Sequence, residues 1–281
     1  MSHKIKKGYA EVNSINLHYI EYANDQPKMI LLHGLTANAF AFNGLVQAGL
    51  TEHFSVVSVD QRGRGQSSKP AFAYSIKDHA LDIIGLLDFL DIDKIHICGH
   101  SFGGLMATYL AYHYPHRFEK VIILDAAPEM NPKAPEMLAP ALSRIDHQYE
   151  NFDAFIEVVK QAPYISFWDE AMTEYYKADV VTSDDGKVEP RSNIADITQI
   201  AMGVAKEDWT KYYSEILQPT LMVVALDDYT LEQPLLPVEK AKKILKKMKK
   251  ANYVEVDGNH QTMLFGKGAM QIVEAIVKFI Q

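Results

Sequence analysis

The apolar pattern of the chain predicts an α/β protein: a mostly parallel sheet of eight strands with helices on both faces, interrupted by a helical cap insertion. Three observations carry this. Short, almost wholly apolar runs such as MILL and TLMVVA alternate with longer segments of helical periodicity, as buried parallel strands and their crossover helices do. The alternation stops near Pro128 and resumes at Pro219. Across 281 residues, 48% hydrophobic and 23% charged side chains leave ample material for one large core.

In chain order, Gly8 to Val12 and Ile15 to Tyr22 read as a β-hairpin around the turn-forming pair Asn13-Ser14. Met29 to Leu32 and Phe54 to Val59 are the first buried strands. Ile76, Ala80, Ile83, Ile84, Leu87 and Leu90 recur at helical spacing, with Ser75 as the expected N-cap. Ile95 to Cys98 is the next strand, Phe102 to Tyr114 a helix stopped by Pro115, and Val121 to Leu124 a further strand. Pro128, Pro132, Pro135 and Pro140 then punctuate a segment that becomes helical and aromatic-rich, with no strand expected before Pro219. Thr220 to Ala225, a lysine-rich helix, the strand in NYVEVDG and a helix from about Gly268 to Ile280 complete the pattern. The expected division is a core of residues 1–127 and 219–281 with a cap of 128–218.

Composition narrows the function. A formal net charge of −8 argues against a protein that neutralises nucleic-acid phosphates. The basic run Lys240 to Lys250 is read as the solvated side of an amphipathic helix, because Ala241, Ile244, Leu245 and Met248 share its other face. Cys98 is the single cysteine, so no internal disulfide and no cysteine-based metal cluster is expected. The N-terminus has no apolar signal region and no run approaches the roughly 18 residues of a membrane span, so a cytoplasmic location without stable membrane association is expected. Nothing in the pattern distinguishes a monomer from a homodimer.

Directly after the Ile95 strand stands Gly99-His100-Ser101-Phe102-Gly103, a G-x-S-x-G pentapeptide. Such a pattern arises by chance in roughly one chain of this length in ten. Its position between a buried strand and an apolar helix is what gives it meaning. A nucleophile elbow needs glycine where backbone passes close to the serine, and it leaves the hydroxyl at a helix N-terminus where the dipole favours a developing anion. A serine nucleophile needs a base, and histidine serves near neutral pH. Of eleven histidines, His260 is the candidate, because DGNH follows the last strand. The acid is ambiguous: Asp228 is favoured, then Asp227, both just after the TLMVVA strand, then Asp125 at the end of VIILD. His113 and His116 lack the further ligands of a metal site, and Cys98, ending an apolar strand, reads as a small buried residue.

With these residues in hand, the chain resembles a capped member of the α/β-hydrolase superfamily over nearly its full length. The matching segments are HGLT at His33 to Thr36, DQRGRGQSS at Asp60 to Ser68, GHSFGG at Gly99 to Gly104, the pair Asp227-Asp228, and GNH at Gly258 to His260. The resemblance implies that the backbone N–H groups of Leu35 and Phe102 form an oxyanion hole, supported by His33, Gly34, Gly99, His100 and Gly103. It also assigns Asp60, Arg62, Gly63 and Gly65 to a structural loop. Serine at the elbow argues against the epoxide hydrolases and haloalkane dehalogenases that share the scaffold and attack with a carboxylate. Ala225 departs from a frequent glycine before the acid, which leaves the register of Asp227 and Asp228 open.

The implied activity is carboxylic ester hydrolysis through an acyl-enzyme, with a small-molecule ester as substrate, no cofactor and no metal. A C–C bond hydrolase, lactonase, thioesterase or perhydrolase would use the same machinery, and a non-catalytic ligand receptor is the alternative outside enzymes. Most aromatic side chains of the insertion are expected to pack the insertion itself. Phe167, Trp168 and Trp209 are the candidates for a pocket accepting apolar acyl or aryl groups.

Overall fold

The computed structural model describes residues 4–281; the first three residues of the N-terminal reading lie outside it. Strands β1 (Lys4–Val12) and β2 (Ile15–Ala23) form the expected hairpin, whose turn residues Asn13 and Ser14 adopt φ of 46° and 62°. They continue into β3 (Lys28–Leu32), β4 (Ser55–Val59), β5 (Ile95–His100), β6 (Phe118–Leu124), β9 (Thr220–Ala225) and β10 (Ala251–Val256). The strand order is β1-β2-β4-β3-β5-β6-β9-β10, with β1, β2 and β4 joined by antiparallel pairing and every later pair parallel.

Both faces of this sheet are buried, which explains the uninterrupted apolar runs. Ile30, Leu32, Ile97, Ile123 and Met222 point to one side; Met29, Leu31, Cys98, Ile122 and Leu221 point to the other. Helices α3 (Ile76–Phe89), α4 (Phe102–His113) and α10 (Val238–Leu245) cover the first side, while α1 (Asn43–Gln47), α2 (Leu50–His53) and α11 (Gly266–Ile280) cover the second. Ser75 caps α3 in a full capping box with Asp78. On α10, Ala241 and Ile244 are buried while Lys240, Lys242 and Lys243 pair with Glu129 and Glu255 at the surface.

Between β6 and β9 lie five helices, α5 (Ala134–Ser143), α6 (Phe152–Lys160), α7 (Glu170–Ala178), α8 (Ile194–Val204) and α9 (Trp209–Glu215). This segment departs from the strandless expectation. Strands β7 (Val180–Thr182) and β8 (Val188–Pro190) pair antiparallel across a turn in which Gly186 takes φ of 85°. Three-residue strands leave no readable period, so the sequence carried no sign of them.

Candidate active site

Strand β5 delivers Ser101 to the C-terminal edge of the sheet. Ser101 holds φ of 55° and ψ of −120°, a conformation that a side-chain-bearing residue keeps only where its surroundings impose it. The impositions are visible. The Ser101 N–H donates to the Leu124 carbonyl at 3.0 Å, and Gly99 and Gly103 lie so close to neighbouring backbone that a Cβ on either would overlap it. A Cβ on Gly103 would strike the Leu32 carbonyl, so this glycine sets how deeply α4 seats against β3.

His260 arrives from the loop after β10, with its Nε2 3.0 Å from the Ser101 hydroxyl. That loop is held by its own side chains: the Asn259 carboxamide oxygen accepts the N–H groups of Gln261 and Thr262, and the Thr262 hydroxyl accepts the Asn259 N–H. The Asn259 amide also donates to the Tyr164 carbonyl at 2.9 Å. His100 adds a brace, since its Nε2 lies 2.8 Å from the His260 carbonyl and must carry the proton there. Burial, with the neighbouring His260, puts the His100 pKa well below the ordinary range, so the ring is neutral. The motifs do not reveal that Asn259 and Thr262 hold this loop; the Asn-x-x-Thr spacing around His260 is the sequence signal for it.

The acid is the principal correction. The His260 Nδ1 lies 2.6 Å from a carboxylate oxygen of Asp125, not from Asp228 or Asp227. Asp125 follows β6 without a spacer, is buried, and takes φ of 49°, which folds its side chain over the end of β9. There its other oxygen accepts the Ala225 N–H at 3.1 Å, while its own N–H donates to the Val223 carbonyl at 2.7 Å. Asp227 and Asp228 stand beyond Leu226, outside the strand, and both are exposed. Asp227 instead closes a turn, exchanging hydrogen bonds with Gly258 through its N–H and its carboxylate.

The HGLT segment sits against Ser101: a Cβ on Gly34 would come within 3.4 Å of the Ser101 Cβ. His33 is buried, its Nε2 accepts the Gln61 N–H at 3.0 Å, and its Nδ1 therefore donates to the Gly34 carbonyl at 2.7 Å. Burial first, and the charge of Arg64 second, lower its pKa to about 4 and keep it neutral. Because a trans peptide points its C=O and N–H in opposite directions, fixing the Gly34 carbonyl also fixes the Leu35 N–H. The Phe102 N–H, at the start of α4, has no intrahelical acceptor. Asp60 meets the Ala39 and Gln66 N–H groups and His18, away from His260.

Ser101, His260, Leu35 and Phe102 open onto one cavity of about 250 Å³. Its walls are mainly apolar, among them Leu105, Met130, Leu138, Leu142 and Val204. The aromatic expectation is corrected here, because Phe167, Trp168 and Trp209 are not among its lining residues. Trp168 stacks on Tyr176 and donates to the Thr173 hydroxyl, Trp209 donates to the Val204 carbonyl, and Phe167 packs beside Gly266. Their indole N–H groups find partners inside the segment, which draws the rings into its packing. Tyr164, Tyr176 and Tyr229 line the cavity instead, with Arg144 as the one Asp, Glu, Lys or Arg among the lining residues. His113 packs among Tyr109, Tyr112 and Tyr212, and Cys98 is buried with its thiol pKa pushed up by burial.

Residues 27–267 match the family model described as the alpha/beta hydrolase fold. The chain belongs to that family. This α/β hydrolase is 28% identical over 197 residues to 2-(acetamidomethylene)succinate hydrolase of Mesorhizobium japonicum, covering 70% of this chain and 69% of that protein. It is 31% identical over 147 residues to a soluble epoxide hydrolase of a Corynebacterium strain, and 35% identical over 114 residues to a 3-oxoadipate enol-lactonase of Acinetobacter baylyi. These matches cover 52% and 40% of this chain, and 51% and 42% of the relatives, so the matched region spans about half or less of each. Among solved structures, an E-2-(acetamidomethylene)succinate hydrolase superposes with a TM-score of 0.85 at 25% identity, covering 99% of both chains. Among the described residues no helix is long and apolar enough to cross a membrane.

Proposed function

We propose that this α/β hydrolase cleaves carboxylic esters by acyl transfer, with Ser101 as nucleophile, His260 as base and Asp125 as acid. The hydrogen-bonded chain from Ser101 through His260 to Asp125, 3.0 and 2.6 Å, carries this reading. In it, the Ser101 Oγ attacks the ester carbonyl while His260 Nε2 takes the hydroxyl proton. The Leu35 and Phe102 N–H groups receive the negative charge that develops on the carbonyl oxygen, each worth about 3–4 kcal/mol on the scale of other oxyanion donors. Asp125 holds the Nδ1–H tautomer and balances the imidazolium. The imidazolium protonates the departing alcohol, and water, activated by His260, then releases the acid from Ser101. The segment from β6 to β9 serves as the cap, since it supplies Leu138, Arg144 and Val204 to the cavity.

The mainly apolar walls favour an acyl or aryl group of small to medium size. A second reading is favoured by Arg144, a buried cation on the cavity wall: the substrate carries a carboxylate remote from the scissile bond. Burial works against its charge, but the Asp179 carboxylate 2.9 Å away, together with Tyr164, Tyr175 and Tyr176, raises its pKa well above the ordinary range and keeps it protonated. Two relatives are named for carboxylate compounds, a succinate and an oxoadipate. An epoxide is disfavoured, because the elbow presents a serine where that chemistry uses a carboxylate.

Hydrolysis of p-nitrophenyl esters of increasing acyl length by the wild type and by Ser101→Ala tests the main reading. Turnover by the wild type alone is expected. Equal rates for both proteins would remove Ser101 from the mechanism.

A further inference from the structure

Arg64 belongs to the DQRGRGQSS loop after β4 and is fully buried. Its Nη2 donates to the His79 Nε2 at 2.9 Å, a lone pair left free because the His79 Nδ1 proton goes to the Ser75 carbonyl. Its Nε and Nη1 have no hydrogen-bond partner among the described residues. No carboxylate comes within ion-pairing distance of it there either. The two carboxylates whose charge reaches it are engaged elsewhere: Asp82 takes Arg62 in a two-pronged pair, and Asp196 takes Tyr74 and Asn193. Burial lowers the Arg64 pKa to about 10, which still leaves the group cationic at neutral pH.

A buried cation without a counter-ion is costly to a fold, and a negative charge developing beside it would offset that cost. The surroundings of Arg64 show where. Its guanidinium rests over the Phe102 ring at 5.6 Å, and the His79 ring meets the same ring edge-on at 5.3 Å. Phe102 therefore has its backbone N–H at the nucleophile and its side chain clamped by Arg64 and His79. The charge of Arg64 is also felt at His33, whose ring fixes the Gly34–Leu35 peptide. One cation thus packs against Phe102 and exerts its charge on His33.

We propose that Arg64 is a positioning residue of the oxyanion hole, a deliberately unpaired buried cation that acts through Phe102 on the negative charge developing next to Ser101. The inference rests on Ser101 as nucleophile but not on the ester as substrate. Removing an unpaired buried charge relieves a cost, so loss of Arg64 separates rate from stability in a way that loss of an ordinary structural side chain does not.

The test uses Arg64→Met and Arg64→Lys, with three readouts: the rate of Ser101 modification by a fluorophosphonate, kcat and KM for p-nitrophenyl butyrate, and the melting temperature. For Arg64→Met the modification rate and kcat should fall roughly 10- to 100-fold, less than for loss of a whole oxyanion donor. KM should change little, the melting temperature should hold or rise, and Arg64→Lys should recover part of the rate. If Arg64→Met does not fold, the Phe102→Leu variant decides, since removing the ring should lower the modification rate and make it insensitive to Arg64→Lys. A lower melting temperature with an unchanged modification rate would make Arg64 merely structural and overturn the proposal, as would no change in any readout. Wild type that is phosphonylated at Ser101 but turns over no ester would reject the ester substrate and leave the Arg64 inference standing. A wild type that is not phosphonylated at Ser101 would reject both.

Discussion

Asp125 and His260 meet at 2.6 Å although they follow strands β6 and β10, which are separated in the sheet by β9. The contact exists because the left-handed backbone of Asp125 carries its carboxylate across the end of β9, where the Ala225 N–H secures it. His260 is therefore paired with one buried aspartate and not with the exposed pair that follows β9. Asp125→Asn should lower kcat on the order of 10⁴-fold, since an amide cannot balance the imidazolium and favours the wrong tautomer. Asp227→Asn and Asp228→Asn should stay near wild type. Steady-state kinetics on the three variants checks this, and loss of activity in Asp228→Asn alone would mean that the acid lies elsewhere in the working enzyme.

Gly103 has no room for a methyl group, because a Cβ there would overlap the Leu32 carbonyl. Gly103→Ala should destabilise the fold by ~3 kcal/mol or more, as backbone and not a flexible side chain must yield. Gly34→Ala is the milder case. Its Cβ would sit 3.3 Å from His100 Nδ1 and 3.4 Å from the Ser101 Cβ, so it should reduce kcat by displacing the Leu35 N–H while leaving the urea midpoint nearly unchanged. Urea denaturation and kinetics on both variants separate the two effects.

His33 gives the fold an acid-sensitive component. Its folded pKa of about 4 lies below the ordinary 6.5, so between these values the unfolded chain binds the extra proton. The stabilisation is fully present above pH 6.5 and is lost as pH falls toward 4, by roughly 3 kcal/mol in total. His79 and His100 are shifted in the same direction. Urea midpoints measured from pH 7 to 4.5 should fall, and fall less steeply in His33→Gln; parallel curves for the two proteins would show that His33 protonates freely in the folded state.

Arg144 should decide between neutral and anionic acyl groups. With mono-p-nitrophenyl glutarate and p-nitrophenyl butyrate as the pair, Arg144→Gln should lose roughly 10- to 100-fold in kcat/KM for the glutarate, the value of a charge-assisted hydrogen bond. The butyrate rate should fall much less. An equal loss on both esters would instead reflect the unpaired Asp179 disturbing the cavity, and a fall in melting temperature would accompany it.

Residue pattern alone is enough to read the sheet, its crossover helices, the elbow at Ser101 and the position of His260 after the last strand. Each of these is a local matter: strands buried on both faces are apolar throughout, Ser75 caps α3 with its own neighbours, and Gly99 answers to the Gly103 backbone a few residues away. The remainder depends on contacts distant in the chain. Asp125 and Asp228 are each an aspartate shortly after a parallel strand, and only the path of the Asp125 side chain over β9 tells them apart. The pocket lining, with Tyr164, Tyr176 and Arg144 in place of Phe167, Trp168 and Trp209, likewise follows from how the segment between β6 and β9 packs on itself and on the core. An aromatic residue looks the same in sequence whether its ring faces substrate or a neighbouring helix; contacts between residues distant in the chain make that choice.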